Sequence, residues 1–288
     1  MTQFLATTLN GLTLAALYFI VASGFTLVFG LMRNINLAHG SLYLLGAYVG
    51  FETLELTGSW YAAVAMGFAS MAALGVALQS FVFRHLENQE LRQTLVSLAL
   101  SIILADLMLA WWGGQSYQIQ GPELLTGAAP LGLEALPFYS AIRLTLLAIA
   151  IVIGVALWLF LTRTRTGMMI RAGVDDRAML QASGVNVHRV FAATFAVGAG
   201  LAGLAGVVGG TVLSVAPGED IRILLASLVV VIVGGMGSVA GSAIGALLIG
   251  LAEQYGLAYT PTYGVLYMFV ILVVVLAIRP QGLMGKVS

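Results

Sequence analysis

Side chains that could do chemistry are few and widely spaced in this chain. Its three histidines, His39, His85 and His188, lie far apart, and none has the HExxH spacing of a zinc site. There is no cysteine, which excludes thiolate metal ligands, disulfides and cysteine nucleophiles together. Neither a GxSxG serine motif nor a GxxxxGK[ST] phosphate loop occurs, and the single lysine is Lys286. We therefore expect no catalytic residue, no metal site and no cofactor bound by this chain.

The most polar run, GVDDRAMLQASGVNVHR at residues 173–189, lies between strongly apolar segments. Its spacing predicts a helix of about two turns, because Asp175 or Asp176 is a favourable N-cap and Gly184 a favourable residue after the C-cap. So short a helix is marginal in water and needs a partner to pack against. The run therefore predicts a docking surface for another protein, with a solvated turn as the alternative. The candidate contact residues are Asp175, Asp176, Arg177, Ala178, Met179, Ala182 and Gly184.

The elements that hold this run are apolar. The 288-residue chain is 60% hydrophobic and 8% charged, whereas ordinary soluble domains are about 25% charged. Several uncharged runs reach roughly 18 residues, enough to cross a hydrocarbon core of about 30 Å as helices. The composition predicts an all-α, polytopic integral membrane protein that forms one transmembrane domain over residues 1–288. The formal net charge of zero argues against nucleic acid as a partner.

Apolar periodicity indicates about eight transmembrane or re-entrant helical segments. An interrupted apolar region covers 224–252, and the longest apparent loop is 113–139. The remaining spans are predicted at about 8–31, 37–56, 60–83, 94–112, 140–161, 190–212 and 262–279.

The basic residues predict the orientation, because Lys and Arg accumulate in cytoplasmic loops. Five arginines fall within residues 162–189, two flank the loop after the third span, and two basic residues follow the last span. Only Arg143 and Arg222 would lie on the outer side of the membrane. The charge pattern does not decide on which side of the membrane the N-terminus lies. We therefore expect the polar run and the C-terminus to be cytoplasmic. The acidic residues expected in the outer loops are Glu52, Glu55, Glu123, Glu134, Glu219, Asp220 and Glu253.

Two segments interrupt apolar runs near opposite ends of the chain, MRNINLAHGS at 32–41 and GGMGS at 234–238. Unwound backbone is tolerated in a membrane only where it lines a cavity or is buried, and paired broken helices indicate a transport path. A re-entrant or hairpin arrangement around the second break would keep the C-terminus cytoplasmic. Two unusual loops are the alternative. The candidate residues of the translocation path are Asn34, Asn36, His39, Gly40, Gly234, Gly235, Gly237 and Ser238.

Small residues recur at every fourth position in two later segments. They are Gly198, Ala202, Gly206 and Gly210 in one, and Gly237, Gly241 and Gly245 in the other. Such ridges let helices approach closely in lipid, so we predict helix packing as their role.

Asp106 is the acidic residue predicted well inside a span, in SIILADLMLAWW. Intramembrane carboxylates are costly and often functional, for example in proton relays. No basic residue stands at a comparable depth in another predicted span. We interpret Asp106 as a structural hydrogen-bonding residue, with a relay as the alternative.

Four motifs follow one another along the chain: GLMRNINLAHGSLYLLGAYV (30–49), TRTGMMIRAGVDDRAMLQASGVNV (164–187), VVVIVGGMGSVAGSAIGALLIG (229–250) and RPQGLMG (279–285). In this order they resemble the motifs of the branched-chain amino acid permease family of bacterial ABC importers. The polar run resembles the family's cytoplasmic coupling loop, at about 163–189, through which such permeases contact their ATPases. The usual Ala-to-Gly spacing of such loops is not reproduced residue for residue by Ala178, Ala182 and Gly184.

The resemblance implies a permease subunit of an ATP-driven importer for branched-chain or related amino acids, in the bacterial inner (plasma) membrane. It implies four kinds of partner: cytoplasmic ATP-binding subunits that use the ATP, a periplasmic substrate-binding protein, a second permease chain, related or identical, and lipid. Two alternatives stay open. One is a urea or short-amide ABC permease of the same family, and the other is a stand-alone channel or ion-coupled transporter.

Overall fold

A computed structural model describes residues 2–32, 36–87, 89–125, 127–133 and 136–285. Within these ranges the chain forms α-helices and one β-hairpin. They are α1 (Thr2–Met32), α2 (His39–Thr57), α3 (Trp60–Phe81), α4 (Glu90–Trp112), β1 (Ala128–Leu133), β2 (Leu136–Ser140), α5 (Ala141–Arg163), α6 (Arg165–Asp175), α7 (Arg177–Ala182), α8 (Val187–Gly210), α9 (Glu219–Gly234), α10 (Val239–Tyr259) and α11 (Leu266–Ile278).

Among the described residues, five helices are long and apolar enough to cross a membrane, namely α1, α3, α4, α5 and α8. Helices α9 and α10 pass the same test together, but they are bent by 117° at the break between them. Helix α11 is apolar but has 13 residues, and α2 is not among the five. The predicted all-α polytopic fold is confirmed, with α2, α11 and the bent pair as the segments that are not simple spans.

Helices α1 and α8 form the centre of the fold. About 78% of the apolar stretch of α1 and 72% of that of α8 are buried, against 11% for α4 and 17% for α5. The predicted close packing of glycines is confirmed here. A Cβ atom on Gly24 would lie 2.5 Å from the carbonyl oxygen of Gly198, and one on Gly46 would lie 2.3 Å from the Cα atom of Gly203. The backbones touch because these positions carry no side chain.

The two basic loops lie on the same end of the helix bundle. Glu87, after α3, pairs through Oε1 with Nδ1 of His188 at the start of α8, at 3.0 Å. Helices α1 and α10 are antiparallel, since Thr26 bonds to Ser242 and Tyr18 bonds to Glu253. The clustering of basic loops on one face agrees with the charge pattern, and its assignment to the cytoplasm stays a prediction.

At the opposite end, the segment expected to be a loop contains a β-hairpin. Strands β1 and β2 are antiparallel, with Ala128 opposite Ser140 and an irregular register between Pro130 and Leu133. The same end holds an isolated bridge between Tyr117 and Val215, which joins this segment to the α8–α9 connection. The hairpin was not expected from the sequence, because the Pro and Gly residues of this segment are typical of loops.

Candidate coupling surface and transport path

The polar run and the residues before it form two helices, of which the sequence predicted one. Helix α6 occupies most of the expected loop, and Thr164 caps it by accepting a hydrogen bond from the N–H of Gly167 at 3.0 Å. Ile170 on α6 is 1% exposed and packs against Leu157 and Leu161 of α5. The expectation of a loop was wrong here, because the arginines of α6 hid its apolar face. Helices α6 and α7, with the residues up to 184, are called the coupling segment below.

Helix α7 has the predicted capping residues. The Asp176 carboxylate accepts the N–H of Met179 at 3.0 Å, so Asp176 rather than Asp175 is the N-cap. Gly184 has a φ of 79°, and its N–H donates to the carbonyl oxygen of Gln181 at 3.1 Å. A left-handed glycine of this kind terminates a helix without strain.

Helix α7 is anchored on one side and open on another. Leu180 is 7% exposed and packs in a cluster with Val187 and Val190 of α8. Met179 is 70% exposed, and Ala178 and Ala182 are exposed as well. We call Ala178, Met179 and Ala182 the docking face, because they present apolar surface from a helix that the bundle already holds in place.

Val174 links the coupling segment to the membrane helices. A Cβ atom on Gly30, near the end of α1, would lie 3.6 Å from Cγ2 of Val174 and 3.1 Å from Cα of Gly237. A Cβ atom on Gly237 would lie 3.9 Å from Cγ1 of Val174. The three residues come from α6, α1 and the α9–α10 break, so a displacement of α6 would reach the break directly.

The first break returns the chain to the middle of α1. His39 is 1% exposed, and its Nε2 lies 3.1 Å from the carbonyl oxygen of Val21. The side-chain oxygen of Asn36 accepts the N–H of Ala38 at 3.1 Å. Helix α2 therefore begins inside the protein, where irregular backbone can be satisfied. Asn34 lies outside the described residues.

The start of α2 packs against the start of α9. A Cβ atom on Gly40 would lie 2.2 Å from the carbonyl oxygen of Asp220 and 2.8 Å from Cβ of Leu224. Ser41 Oγ lies 3.3 Å from Oδ2 of Asp220 and 2.8 Å from Oγ of Ser101 in α4. This junction needs glycine at position 40, because any side chain there would collide with backbone.

The second break is a tight corner between α9 and α10. Gly235 and Gly237 have φ angles of 108° and 83°, which favour glycine. Ser238 caps α10 by accepting the N–H of Gly241 at 3.0 Å. A Cβ atom on Gly234 would lie 2.2 Å from the carbonyl oxygen of Gly241, so the two helices meet backbone to backbone. The predicted interruption of the helix is present at these residues.

The C-terminal RPQGLMG motif, residues 279–285, fills this corner. The N–H of Leu283 donates to the carbonyl oxygen of Val233, and the N–H of Met284 donates to that of Gly234, both at 2.9 Å. Carbonyl groups in the last turn of a helix have no helical partner. The motif therefore satisfies the end of α9 and secures the break.

The described residues of the two breaks do not lie in one cluster. The first break contacts Asp220 and Leu224 at the start of α9. The second break follows the end of α9 and lies beside Gly30 of α1 and Val174 of α6. Helix α9 has 16 residues and is about 24 Å long. That both breaks line the translocation path stays a prediction, and α9 is the element that connects them.

Two acidic residues that were expected in outer loops are buried in helices. Asp220 is 3% exposed and Glu253 is 4% exposed. The hydroxyl of Tyr18 in α1 donates a hydrogen bond to Oε2 of Glu253 at 2.6 Å. The loop assignment was therefore wrong for both residues. The sequence held a signal for Glu253, which follows Gly245 and Ile249 at four-residue spacing on the buried face of α10.

Asp106 is exposed on α4, whose buried positions include Ser97 and Met108. Within the described residues it makes no hydrogen bond. Its interpretation as a structural hydrogen-bonding residue therefore finds no partner among the residues that the structure describes, and its side chain lies on the outer side of the bundle.

Comparison with known proteins gives a match over nearly the whole chain. Residues 7–278 match the family described as branched-chain amino acid transport system / permease component. The chain is 29% identical to the high-affinity branched-chain amino acid transport system permease protein BraD of Pseudomonas aeruginosa, over 99% of this chain and 96% of that protein. It is 32% identical to the protein LivH of Salmonella typhimurium, which carries the same description, over 98% and 96% of the two chains.

A more distant relative is the probable branched-chain amino acid transport permease protein LivH of Methanocaldococcus jannaschii. It is 25% identical, over 92% of this chain and 88% of that protein. No solved structure matches the chain significantly.

Proposed function

The chain belongs to the family of permease components of branched-chain amino acid transport systems, and from this premise we propose that it forms part of the membrane path of an ATP-driven importer for branched-chain or related amino acids. It is a membrane-embedded transporter subunit. The match to relatives named as high-affinity branched-chain amino acid permeases, over almost their full length, is the observation that carries the proposal.

The ATPase of this importer is a separate chain. The sequence has no phosphate-binding loop, and its single lysine, Lys286, lies near the C-terminus. The docking face of α7 supports a cytoplasmic ATP-binding partner, because Met179 and its neighbours leave apolar surface uncovered on an anchored helix. In this proposal the ATP-binding subunits hold the nucleotide, and this chain holds none.

Coupling runs from the docking face to the α9–α10 break. Closure of the ATP-binding subunits displaces α7 and α6, and Val174 passes that displacement to Gly30 and Gly237. The corner at Gly235 and Gly237 is a place where a small shift changes the angle between two helices. Closure of the ATP-binding subunits therefore biases the path between outward-open and inward-open states.

Further partners follow from the surfaces of the helices. Helices α4 and α5 are mostly exposed and apolar, which suits lipid and a second permease chain, either related or identical. The end of the bundle that carries the coupling segment also holds Glu87, His188 and the C-terminal motif. We place this end, with the C-terminus, in the cytoplasm, and the chain in a bacterial inner (plasma) membrane. A periplasmic substrate-binding protein then delivers amino acids to the opposite end.

Two other functions make different predictions. A urea or short-amide ABC permease would need the same partners but a different solute. A stand-alone channel or ion-coupled transporter would need no ATPase, and the exposed docking face would then have no occupant.

To decide among these functions, the tagged chain is purified from its native membrane and the proteins that accompany it are identified. The complex is then reconstituted in vesicles together with its binding protein. The expected result is leucine accumulation that requires ATP and a phosphate-loop partner. ATP-driven uptake of urea without leucine would favour the amide permease. Solute movement by the chain alone, without ATP, would favour the channel.

A further inference from the structure

Four polar side chains meet where α1, α9 and α10 converge. The Tyr18 hydroxyl donates to Glu253 at 2.6 Å, and Glu219 Oε2 lies 3.4 Å from Nε of Arg222. The Arg222 guanidinium also interacts electrostatically with the Glu253 carboxylate and the Tyr18 phenol. We call Tyr18, Glu219, Arg222 and Glu253 the polar cluster. It lies apart from the docking face and from the α9–α10 break, next to the Asp220 contact of the first break, and the coupling route does not use it.

The polar cluster lies toward the end of the bundle away from the coupling segment. Helix α10 begins at the corner beside Val174 and ends at Tyr259, and Glu253 is six residues before that end. Six residues of helix correspond to about 9 Å. In the proposed orientation the cluster is therefore at the periplasmic entrance, within the outer part of the membrane.

Arg222 is open on one side. Its side chain is 41% exposed, and that of Glu219 is 23% exposed. The Nε atom itself is buried and makes no hydrogen bond within the described residues, although Glu219 Oε2 lies 3.4 Å away. Its neighbours Ile221 and Leu225 are 59% and 42% exposed on the same side of α9. A guanidinium that faces hydrocarbon is expensive, so this stripe of α9 fits the wall of a water-filled path better than a lipid-facing surface.

An amino acid carries the groups that complement this stripe. Its carboxylate can pair bidentately with a guanidinium, and its ammonium group can donate to a glutamate carboxylate. We propose that Arg222 and Glu219 bind the carboxylate and the ammonium group of the transported amino acid, with Ile221 and Leu225 beside its aliphatic side chain. This inference rests on the proposed function and names the residues that recognise the substrate.

Buried Glu253 has a positioning role in this site. The Glu253 side chain is 4% exposed, and the Tyr18 hydroxyl holds it by a hydrogen bond. Its carboxylate therefore stays near Arg222 and is shielded from solvent. A second negative charge behind the guanidinium offsets part of the cost of keeping that cation inside the membrane. It also leaves the open side of Arg222 for the substrate.

The site would select zwitterions. A leucine molecule offers an opposite charge to both groups at once, whereas urea or an aliphatic amide would offer them only neutral hydrogen bonds, which are weaker. Sites built around specific polar partners reject analogues that lack them strongly. The polar cluster therefore favours an amino acid over the amide alternative.

The test measures equilibrium binding of radiolabelled leucine to the purified complex with its ATP-binding subunits and second permease, in lipid nanodiscs and without the binding protein. Arg222→Gln should lower leucine binding at least tenfold and abolish uptake in a complex that still assembles, as size-exclusion chromatography with the ATP-binding subunits shows. Arg222→Lys should recover part of the binding, because it restores the charge but not the bidentate geometry. Unlabelled leucine should compete, but 4-methylpentanoate, which lacks the ammonium group, and isopentylamine, which lacks the carboxylate, should not.

Arg143→Gln is the matched control. Arg143 is the other basic residue expected at this end, and it bonds to Asn10 away from the polar cluster. This variant should bind leucine like the wild type. Equal loss in both arginine variants, normal binding by Arg222→Gln, or competition by isopentylamine would overturn the site.

The two proposals fail in different ways. A wild-type complex that takes up leucine with ATP but binds none without its binding protein would overturn this site and leave the proposed function standing. A complex that takes up neither leucine nor any related amino acid with ATP would overturn the proposed function as well.

Discussion

Val174 of the coupling segment and Gly237 of the α9–α10 break are neighbours, since a Cβ atom on Gly237 would lie 3.9 Å from Cγ1 of Val174. The two residues are 63 positions apart in the chain, counted from 174 to 237. In the proposed coupling route, their proximity connects the docking face with the α9–α10 break. Chains of packed side chains can carry energetic coupling between two sites.

The docking face can be tested by placing a charge on it. Met179→Glu should lower the amount of co-purifying ATP-binding subunit by about tenfold or more, because an interface that buries an unpaired carboxylate loses more than about 1.4 kcal/mol. The variant should fold, since Met179 is 70% exposed. Met179→Leu keeps the apolar surface and should behave like the wild type. Undiminished partner binding by the glutamate variant would exclude Met179 from the interface.

The link at Val174 can be tested by shortening its side chain. Val174→Ala removes the two γ-methyl groups that face Gly30 and Gly237. We expect ATP hydrolysis to persist while the leucine transported per ATP falls several-fold. Val174→Ile keeps the contact and serves as the control. If transport per ATP is the same in the alanine variant, the coupling route does not pass through this residue.

The contact between α2 and α9 should tolerate only glycine at position 40. Gly40→Ala would place a Cβ atom 2.2 Å from the carbonyl oxygen of Asp220. We expect a loss of about 1–3 kcal/mol in the free energy of unfolding, as for other overpacked sites. Thermal unfolding in detergent measures it. Gly114→Ala is the matched control, because nothing lies within 4 Å of its Cβ position. Equal melting temperatures for the two variants would contradict the packing.

The hydrogen bond to buried Glu253 predicts that tyrosine-to-phenylalanine substitutions at positions 18 and 48 differ in their effect on stability. Tyr18→Phe leaves a buried carboxylate without its 2.6 Å partner and should destabilise the protein by about 1–3 kcal/mol. Tyr48→Phe should be nearly neutral, because the buried Tyr48 hydroxyl has no hydrogen-bond partner among the described residues. Its stacking on Trp112, with ring centroids 4.7 Å apart, does not need the hydroxyl. Melting temperatures of both variants, measured side by side, decide the point.

Features with a local cause could be predicted well. The caps at Asp176 and Gly184 follow from side-chain hydrogen bonding and left-handed backbone, which involve only nearby residues. The membrane helices could also be predicted from local sequence, because each of them coincides with a run of apolar residues. Helix α6 escaped prediction because its arginines were interpreted as loop charges, which hid the apolar face that carries Ile170 against α5.

The sequence by itself determined that this chain is an all-α membrane protein, where its helices break, and to which family it belongs, because these depend on composition, spacing and motifs along the chain. Only the tertiary structure decided that Glu253 is buried against Tyr18, that Gly40 meets Asp220, and that Val174 lies beside Gly237. The reason is physical. Each of these contacts joins residues far apart in the chain, and their approach depends on how closely glycine-lined helices pack, which no local pattern specifies.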